Sequence, residues 1–233
     1  MPLSHTEIVR LIDVSCVRTD VTYREVEQIA AAAIKYNFIC AFAMPCYTEK
    51  LGELLKDSPV MLGGVAGFPS GADTVAQKVD CARYMKSVGC KEIDMVINVG
   101  ALQSGDDVYV HNDIKKVVEA VYPIPVKSIL ECAYLSDEEI IRACNIAVEA
   151  GVSFVKSGTG WAAKPATVET IKIMKNAVGD KTSIKAAGGV RSLAVLEEMY
   201  AAGCRRFGIG LRSALGILKE AYQREGKPFE EIN

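Results

Sequence analysis

Residues 153–160 have the sequence Ser153-Phe154-Val155-Lys156-Ser157-Gly158-Thr159-Gly160, a short apolar run that carries a lysine and ends in glycines. A run of this length, closed by a turn signal, is typical of a buried strand. Stretches long enough for amphipathic helices separate it from seven similar runs, and the predicted strands are 11–15, 39–44, 60–68, 92–99, 126–132, 154–157, 183–187 and 206–209. This alternation indicates repeated βα units around a parallel sheet.

Eight strands within 233 residues favour a closed (β/α)8 barrel, the TIM-barrel fold, which typically takes about 250 residues. No change of composition and no Pro/Ser-rich linker divides the chain, so we expect residues 1–233 to form a single domain. An open doubly wound sheet is the alternative, but no nucleotide-binding G-x-G-x-x-G motif follows the first strand. Two helices are predicted to begin with capping boxes, Thr22 with Glu25 and Ser136 with Glu139.

The composition is that of a globular protein with a sizeable core. Hydrophobic residues make up 50% of the chain, and 27 basic residues balance 29 acidic ones without a basic stripe, so nucleic acid is not an expected partner. The eight cysteines form no C-x-x-C pair and are expected to be reduced and mostly buried. The sequence starts without a signal-peptide pattern and has no run of membrane-spanning length, so we expect a cytoplasmic location and no membrane partner.

Two lysines, Lys156 and Lys185, lie late in apolar strands, where the active sites of such barrels are found. If their faces of the strands point into the barrel, the two lie on neighbouring strands about 5 Å apart, with Asp94 two strands away. Mutual repulsion and burial should then lower the pKa of one amine, although the sequence does not decide which. A neutral lysine can form an imine with a carbonyl compound.

Each of these side chains also has a structural interpretation. A single lysine near a strand end is more often solvated or held in a salt bridge than catalytic, and it is the convergence of three charged residues that favours function. Asp94 could equally well orient the lysines as a hydrogen-bond acceptor or transfer protons as an acid or base. Trp161 could form a wall of a substrate pocket or pack at its rim.

Glycines follow the last three predicted strands, at 158–160, 188–189 and 208–210. Barrels often bind phosphate there through backbone N–H groups, although glycine is also the ordinary residue of a tight turn. His5 and His111 lie far from any strand end and have no cluster of acidic or cysteine ligands nearby. We therefore expect no metal site.

At these residues the chain resembles the deoxyribose-phosphate aldolase family, class I aldolases with a (β/α)8 barrel. The matching segments are 92–102 (EIDMVINVGAL), 154–160 (FVKSGTG), 184–191 (IKAAGGVR) and, more weakly, 64–71 around Gly67-Phe68-Pro69. The resemblance implies that Lys156 is the Schiff-base lysine, that Lys185 tunes its pKa, and that Asp94 helps to relay protons. It also implies reversible cleavage of 2-deoxy-D-ribose 5-phosphate to D-glyceraldehyde 3-phosphate and acetaldehyde, with no metal or organic cofactor.

The chain departs from the family pattern where the substrate would be held. Gly210 and Leu211 stand where the family usually has two serines for the phosphate, and Phe42 replaces a common cysteine. We expect backbone N–H groups of Gly189 and Gly210, with Arg191 or Arg212 as the charge partner, to take the phosphate. The complete set of expected binding residues is Asp13, Ser15, Gly158, Thr159, Gly160, Gly188, Gly189, Arg191, Gly210 and Arg212.

The altered glycine loop leaves two alternatives open. One is an aldolase of the same mechanism that acts on a different phosphosugar or an unphosphorylated aldehyde. The other, which retention of the three reactive residues disfavours, is a non-catalytic sugar-phosphate-binding barrel. A homodimer is compatible with the sequence, whose apolar pattern does not distinguish a dimer interface from ordinary core.

Overall fold

Eight parallel strands form a closed barrel in the computed structural model, which describes residues 2–232. Each strand pairs with the next one along the chain, and β8 closes the barrel against β1. The strands are β1 Ile12–Cys16, β2 Cys40–Ala43, β3 Met61–Ala66, β4 Glu92–Val96, β5 Val126–Ile129, β6 Phe154–Lys156, β7 Ser183–Ala187 and β8 Arg206–Gly210. The predicted (β/α)8 fold and all eight predicted strands are confirmed.

The connections between the strands are helical. The helices are α1 His5–Val9, α2 Tyr23–Tyr36, α3 Pro45–Leu55, α4 Val75–Ser87, α5 Val99–Gln103, α6 Asp107–Val121, α7 Asp137–Glu149, α8 Val168–Val178, α9 Leu193–Ala201 and α10 Leu211–Arg224, with a 3-10 turn at Cys132–Tyr134. Both predicted capping boxes are present, because Thr22 and Ser136 each exchange hydrogen bonds with the glutamate three residues later. These reciprocal bonds satisfy N–H groups that would otherwise lack partners at the helix start.

Three strands end two or three residues earlier than the apolar runs predict. After β3 the chain turns at Gly67, whose φ of 63° lies in the left-handed region. After β4 the Asn98 side chain accepts a hydrogen bond from the Ala101 N–H and thereby caps α5. After β5 Glu131 adopts a left-handed conformation. Ile97 and Leu130 lie beyond the ends of β4 and β5 and are still buried, so hydrophobicity alone overestimates the strand length.

The apolar side chains form two cores on the two faces of the sheet. The larger core packs the outer faces of the strands against the helices. A smaller cluster inside the barrel is built on Cys40, Phe42 and Val65. Gly63 makes room for Phe42, because a Cβ at Gly63 would lie 2.3 Å from the Phe42 ring. The rest of the interior is filled by charged side chains.

All eight cysteines are free, and five of them are buried. Cys46 is exposed, while Cys81 and Cys132 are partly buried, so the expectation of mostly buried thiols holds with these exceptions. Within residues 2–232, none of the helices combines the length and the apolar character needed to cross a bilayer.

Candidate active site

The carboxyl ends of the strands surround a cavity of about 230 Å3. Asp13, Asp94, Lys156 and Lys185 line it from β1, β4, β6 and β7, and all four residues are buried. Strand alternation directs them inward, since Val155, the neighbour of Lys156, belongs to the core between sheet and helices. The cavity therefore lies where barrels of this kind carry their chemistry.

One carboxylate oxygen contacts both lysines. Oδ2 of Asp94 lies 2.8 Å from Nζ of Lys156 and 2.7 Å from Nζ of Lys185. The two lysines are direct partners in the parallel pairing of β6 with β7. The Lys185 ammonium also lies 2.6 Å from Oδ2 of Asp13 and 4.3 Å from the centre of the Phe42 ring. The structure thus brings together the three charged residues that the sequence singled out.

A second layer of charge lies beneath these residues. Nζ of Lys127 lies 3.3 Å from Asp13 Oδ2 and 3.4 Å from Asp94 Oδ1, and it also pairs with Glu92. The Arg206 guanidinium bridges the carboxylates of Asp13, at 2.7 Å, and Glu92, at 3.0 Å. We call these side chains the interior charge cluster: Asp13, Glu92, Asp94, Lys127, Lys156, Lys185 and Arg206.

The environment distinguishes Lys156 from its neighbours. Burial lowers the pKa of Lys156 to about 8; the Asp94 carboxylate opposes this shift, and the Lys185 ammonium adds to it. Burial acts on Lys127 in the same sense, but the carboxylates of Asp13, Asp94 and Glu92 outweigh it and raise the pKa of Lys127. Of the two causes expected from the sequence, burial therefore lowers the pKa of Lys156 more than repulsion by Lys185 does.

Two acidic members of the cluster, Asp94 and Asp13, have lowered pKa values. Burial by itself would raise the pKa of Asp94, but Lys156, Lys185 and Lys127 together hold it far below its ordinary range. Asp13 has a pKa of about 2 because basic neighbours outweigh its burial in the same way. With four basic and three acidic members, the cluster reaches charge balance when one amine is neutral. Lys156, whose pKa is lowered, is the amine that can meet this condition.

The predicted binding residues divide into two groups. Asp13, Ser15, Thr159, Gly160, Gly188, Gly189, Arg191 and Gly210 line the same cavity as the lysines. Gly158 and Arg212 do not. Gly158 lines a separate cavity behind the turn after β6, and Arg212 lies in an outer groove next to α2. The structure therefore does not bring Gly158 and Arg212 to the cavity that contains the lysines, and their part in substrate binding stays a prediction.

One side of the cavity mouth offers positive potential. Gly210 is the N-cap residue just before helix α10, and it has no side chain to cap the free N–H groups of the first turn. Arg191 also lines the cavity and is exposed. A helix N-terminus next to an arginine favours an anion.

There is room for a side chain at Gly210. A Cβ atom added there would have the Ser15 carbonyl oxygen, at 4.0 Å, as its only neighbour within 4 Å.

Trp161 forms part of the cavity wall, and it also packs at the rim. Its indole N–H donates a hydrogen bond of 2.8 Å to the carbonyl oxygen of Val17, in the loop after β1. Its ring meets Phe68 edge-on, with 6.2 Å between the ring centres. Both roles considered from the sequence therefore apply to this side chain.

Five polar residues at the site were not identified from the sequence. Glu92, Lys127 and Arg206 lie early in their strands, and strand alternation does place them on the inward faces. Arg18 and Ser213 line the cavity from the loop after β1 and from α10, and no pattern in the sequence points to them. Arg18 is held by Asp20 and Glu25.

Asp13, Cys40 and Glu92 lie close enough together to be considered as metal ligands. Their surroundings disfavour a metal ion. Arg206 and Lys127 already donate to the carboxylate oxygens of Asp13 and Glu92, and burial raises the pKa of the Cys40 thiol well above its ordinary value. The two basic side chains supply the positive charge that a metal would bring.

Comparison with known sequences relates the chain to aldolases. A family model described as DeoC/LacD family aldolase matches residues 8–217. A deoxyribose-phosphate aldolase of Klebsiella pneumoniae is 42% identical over 96% of this chain and 91% of its own length. A deoxyribose-phosphate aldolase of Carboxydothermus hydrogenoformans is 41% identical over 93% of this chain and 96% of its own length.

Solved structures give a matching result. An aldolase named QR15 superposes with a TM-score of 0.88 at 27% identity, covering 94% of this chain and 97% of its own. A deoxyribose phosphate aldolase from Aeropyrum pernix, described as tetrameric, superposes with a TM-score of 0.85 at 26% identity, covering 93% and 92% of the two chains.

Proposed function

Because this chain belongs to the DeoC/LacD family of aldolases, we propose that it cleaves 2-deoxy-D-ribose 5-phosphate reversibly to D-glyceraldehyde 3-phosphate and acetaldehyde. Relatives that match it at about 40% identity over nearly their whole length are named deoxyribose-phosphate aldolase. Lys156 is the residue that forms the imine, and Lys185 and Asp94 assist it. No metal ion or organic cofactor is needed for this chemistry.

The observation that carries the proposal is the state of Lys156. This amine lines the cavity, is buried, and has a pKa of about 8, so a substantial fraction is neutral near physiological pH. A neutral amine has the lone pair required to attack an aldehyde. The other lysine in the cavity, Lys185, contacts two carboxylates that match its positive charge.

The bonds change in three steps. Nζ of Lys156 adds to the C1 aldehyde of the open-chain sugar, and loss of water gives a protonated imine. The C3 hydroxyl then loses its proton, the C2–C3 bond breaks, and its electron pair moves into the imine to form an enamine. Glyceraldehyde 3-phosphate leaves, the enamine gains a proton at C2, and water releases acetaldehyde and the free amine.

Lys185 and Asp94 are placed to move and hold the protons of these steps. The Lys185 ammonium is the proton donor next to the reacting nitrogen, and Asp94 is ionised, so it accepts hydrogen bonds from both amines. The two roles left open for Asp94 are therefore not equal: a carboxylate with so low a pKa is better suited to orienting the amines and stabilising the iminium cation than to acting as an acid.

The phosphate is bound at the mouth, beside the start of α10. Backbone N–H groups near Gly189 and Gly210 donate to its oxygens, and Arg191 supplies a matching charge. Both glycines and the arginine line the cavity that contains Lys156. In place of the serines seen in the family pattern, Ser213 and Ser15 are the hydroxyl groups that line this cavity.

Trapping with acetaldehyde and sodium borohydride tests the proposal. Reduction of the imine should leave an ethyl group on Lys156, which peptide mapping by mass spectrometry would locate. Lys185 serves as a control in the same cavity, and Lys156→Met as a control without the amine. A wild-type protein that remains unmodified, or an adduct on Lys185 alone, would refute the assignment.

A second candidate function keeps the mechanism and changes the substrate. It is favoured by Gly210 and Leu211, which remove the two hydroxyl groups that the family pattern offers to the phosphate. Comparison of kcat/KM for deoxyribose 5-phosphate and for deoxyribose separates the two. Equal values would favour an unphosphorylated substrate.

Self-association and location are further parts of the proposal. The exposed side chains of Val108 and Ile141 flank a groove between α6 and α7, and they are suited to a contact between two copies of the chain. Light scattering coupled to size exclusion would measure the mass of the particle in solution, and a monomer at micromolar concentration would contradict the homodimer.

A cytoplasmic location is the last part of the proposal. Fractionation of cells would test it.

A further inference from the structure

Glu131 combines burial with an unfavourable backbone conformation. It follows β5 with φ 44° and ψ 55°, a left-handed conformation that side chains other than glycine seldom adopt. The residue is only 5% exposed, and no basic side chain of residues 2–232 forms an ion pair with it. A buried carboxylate held in such a backbone conformation is a reason to look for a specific role.

Both carboxylate oxygens of Glu131 bind a single residue. The Thr159 backbone N–H lies 3.3 Å and 3.4 Å from the two oxygens, and the Thr159 hydroxyl donates to Oε2. Thr159 belongs to the turn that follows β6, three residues after Lys156. Its hydroxyl oxygen in turn accepts a hydrogen bond of 3.0 Å from the backbone N–H of Trp161. Glu131 thus fixes the turn through one threonine.

The turn has space on both sides. Thr159, Gly160 and Trp161 line the cavity that contains the lysines. Behind the turn lies a second cavity of about 300 Å3, and its lining includes Glu131, Gly158 and Gly160. Close packing holds most of a protein interior in place. The turn after β6 lies between two cavities and has less of this packing. The hydrogen bonds from Thr159 to Glu131 replace that support.

We propose that Glu131 is a positioning residue, which acts through Thr159 to hold the turn after β6 and to place Trp161 over the active site. Trp161 links this turn to two other loops, since its indole N–H donates to the Val17 carbonyl oxygen and its ring packs on Phe68. These contacts connect the loops after β1, β3 and β6 around the mouth of the cavity. The consequence for catalysis rests on the proposed aldolase function, but the consequence for Trp161 does not.

The substitution Glu131→Gln tests this inference while keeping the shape of the side chain. One amide oxygen replaces two carboxylate oxygens, so the N–H and O–H donors of Thr159 lose part of their acceptor capacity. We expect KM for the sugar phosphate to rise about tenfold, which is the smaller effect seen when a residue that orients a ligating side chain is removed. The pH midpoint of Lys156 trapping should stay near its wild-type value, because Glu131 is not among the groups that shift the Lys156 pKa.

Fluorescence supplies a readout independent of turnover, because Trp161 is the only tryptophan in the chain. In Glu131→Gln the emission should shift to longer wavelength, and quenching by acrylamide should increase. Thr159→Val, which lacks the hydroxyl, should reproduce both effects. Thr159→Ser, which keeps the hydroxyl, should have the emission and quenching of the wild type. The matched control is Glu138→Gln on the exposed start of α7, which should change neither emission nor KM.

The possible results separate cleanly. The proposal would be supported if Glu131→Gln and Thr159→Val change KM and Trp161 emission to a similar extent and the double variant changes them no further. Unchanged emission in Glu131→Gln, or changed emission with unchanged KM, would overturn it. If Glu131→Gln fails to fold, the comparison of Thr159→Val with Thr159→Ser decides in its place. A wild-type protein without aldolase activity would refute the proposed function, and the fluorescence would still test the contact.

Discussion

Lys156 lies directly opposite Lys185 in the parallel pairing of β6 with β7. Such pairing sets two amines side by side in an interior that also contains Asp94. Because burial acts more strongly on Lys156 than its carboxylate partner does, this lysine has the lowered pKa. Several measurable consequences follow from the arrangement.

The rate of imine trapping should depend on pH. Lys156 is a base that reacts when neutral, so the rate of acetaldehyde trapping should increase tenfold per pH unit below a pKa of about 8 and level off above it. Mass spectrometry of samples reduced at different pH values would measure this profile. A midpoint near 10.5, the ordinary value for lysine, would contradict it.

Lys185→Met should move that midpoint upward. The substitution removes a positive neighbour of Lys156 and leaves the Asp94 oxygen to Lys156 alone, and both changes favour the protonated amine. A rise of one pKa unit would reduce the neutral fraction at pH 7 about tenfold. The same trapping assay measures the shift. A midpoint that is unchanged or lower would show that Lys185 does not set the reactivity of Lys156.

Asp94→Asn should separate imine formation from turnover. The carboxylate opposes the lowering of the Lys156 pKa, so its loss should leave trapping at pH 7 at least as fast as in the wild type. Turnover of the sugar phosphate should fall about a hundredfold, since the iminium cation loses its charged partner and Lys185 loses one of its two. A parallel loss of trapping and turnover would contradict this division of roles.

Lys78→Met should destabilise the fold without touching the active site. Lys78 is fully buried, with Nζ 2.5 Å from Asp113 Oδ2 and 2.9 Å from the Val96 carbonyl oxygen. Removal of one partner of a buried pair lowers the free energy of unfolding by about 3–5 kcal/mol. Urea denaturation would measure it. Lys116→Met, in an exposed pair with Glu119, is the control and should change stability by less than about 1 kcal/mol.

Gly210→Ser should strengthen binding of the phosphate. The position has an ordinary backbone conformation for the start of a helix, and a Cβ there has room. A hydroxyl that donates to a phosphate oxygen should lower KM for deoxyribose 5-phosphate about tenfold, the effect of one hydrogen bond to a charged group. KM for unphosphorylated deoxyribose should stay unchanged. Gly210→Ala distinguishes the hydroxyl from the added carbon, and equal effects of the two substitutions would contradict phosphate recognition at this position.

Much of the fold follows from short-range patterns. The eight apolar runs correspond to the eight strands, and the capping boxes at Thr22 and Ser136 mark real helix starts. The strand ends were less predictable. Val99 continues the apolar run of β4, yet the hydrogen bond between the Asn98 side chain and the Ala101 N–H begins a helix there. A local hydrogen bond of this kind competes with strand pairing, and hydropathy does not register it.

The site was predictable in its chemistry and less so in its extent. Alternation along β4, β6 and β7 identifies Asp94, Lys156 and Lys185 as inward-facing, because successive side chains of a strand point to opposite faces. The same rule applies to Lys127 and Arg206, but their carboxylate partners are far away in the sequence, so only the folded barrel shows that they belong to the cluster. Gly158 and Arg212 line other cavities than the lysines do, and strand alternation could not predict this, because a turn and the first turn of a helix do not follow it.

By itself, the sequence determined the barrel, the inward positions of its charged residues and the presence of amines suited to imine chemistry, since all of these depend on periodicity and residue type. Only the tertiary structure decided that Lys156 has the lowered pKa and which loop residues line the cavity. A pKa depends on burial and on charges from several strands at once. The position of Thr159 depends in the same way on Glu131, a residue 28 positions away that reaches it only when β5 pairs with β6.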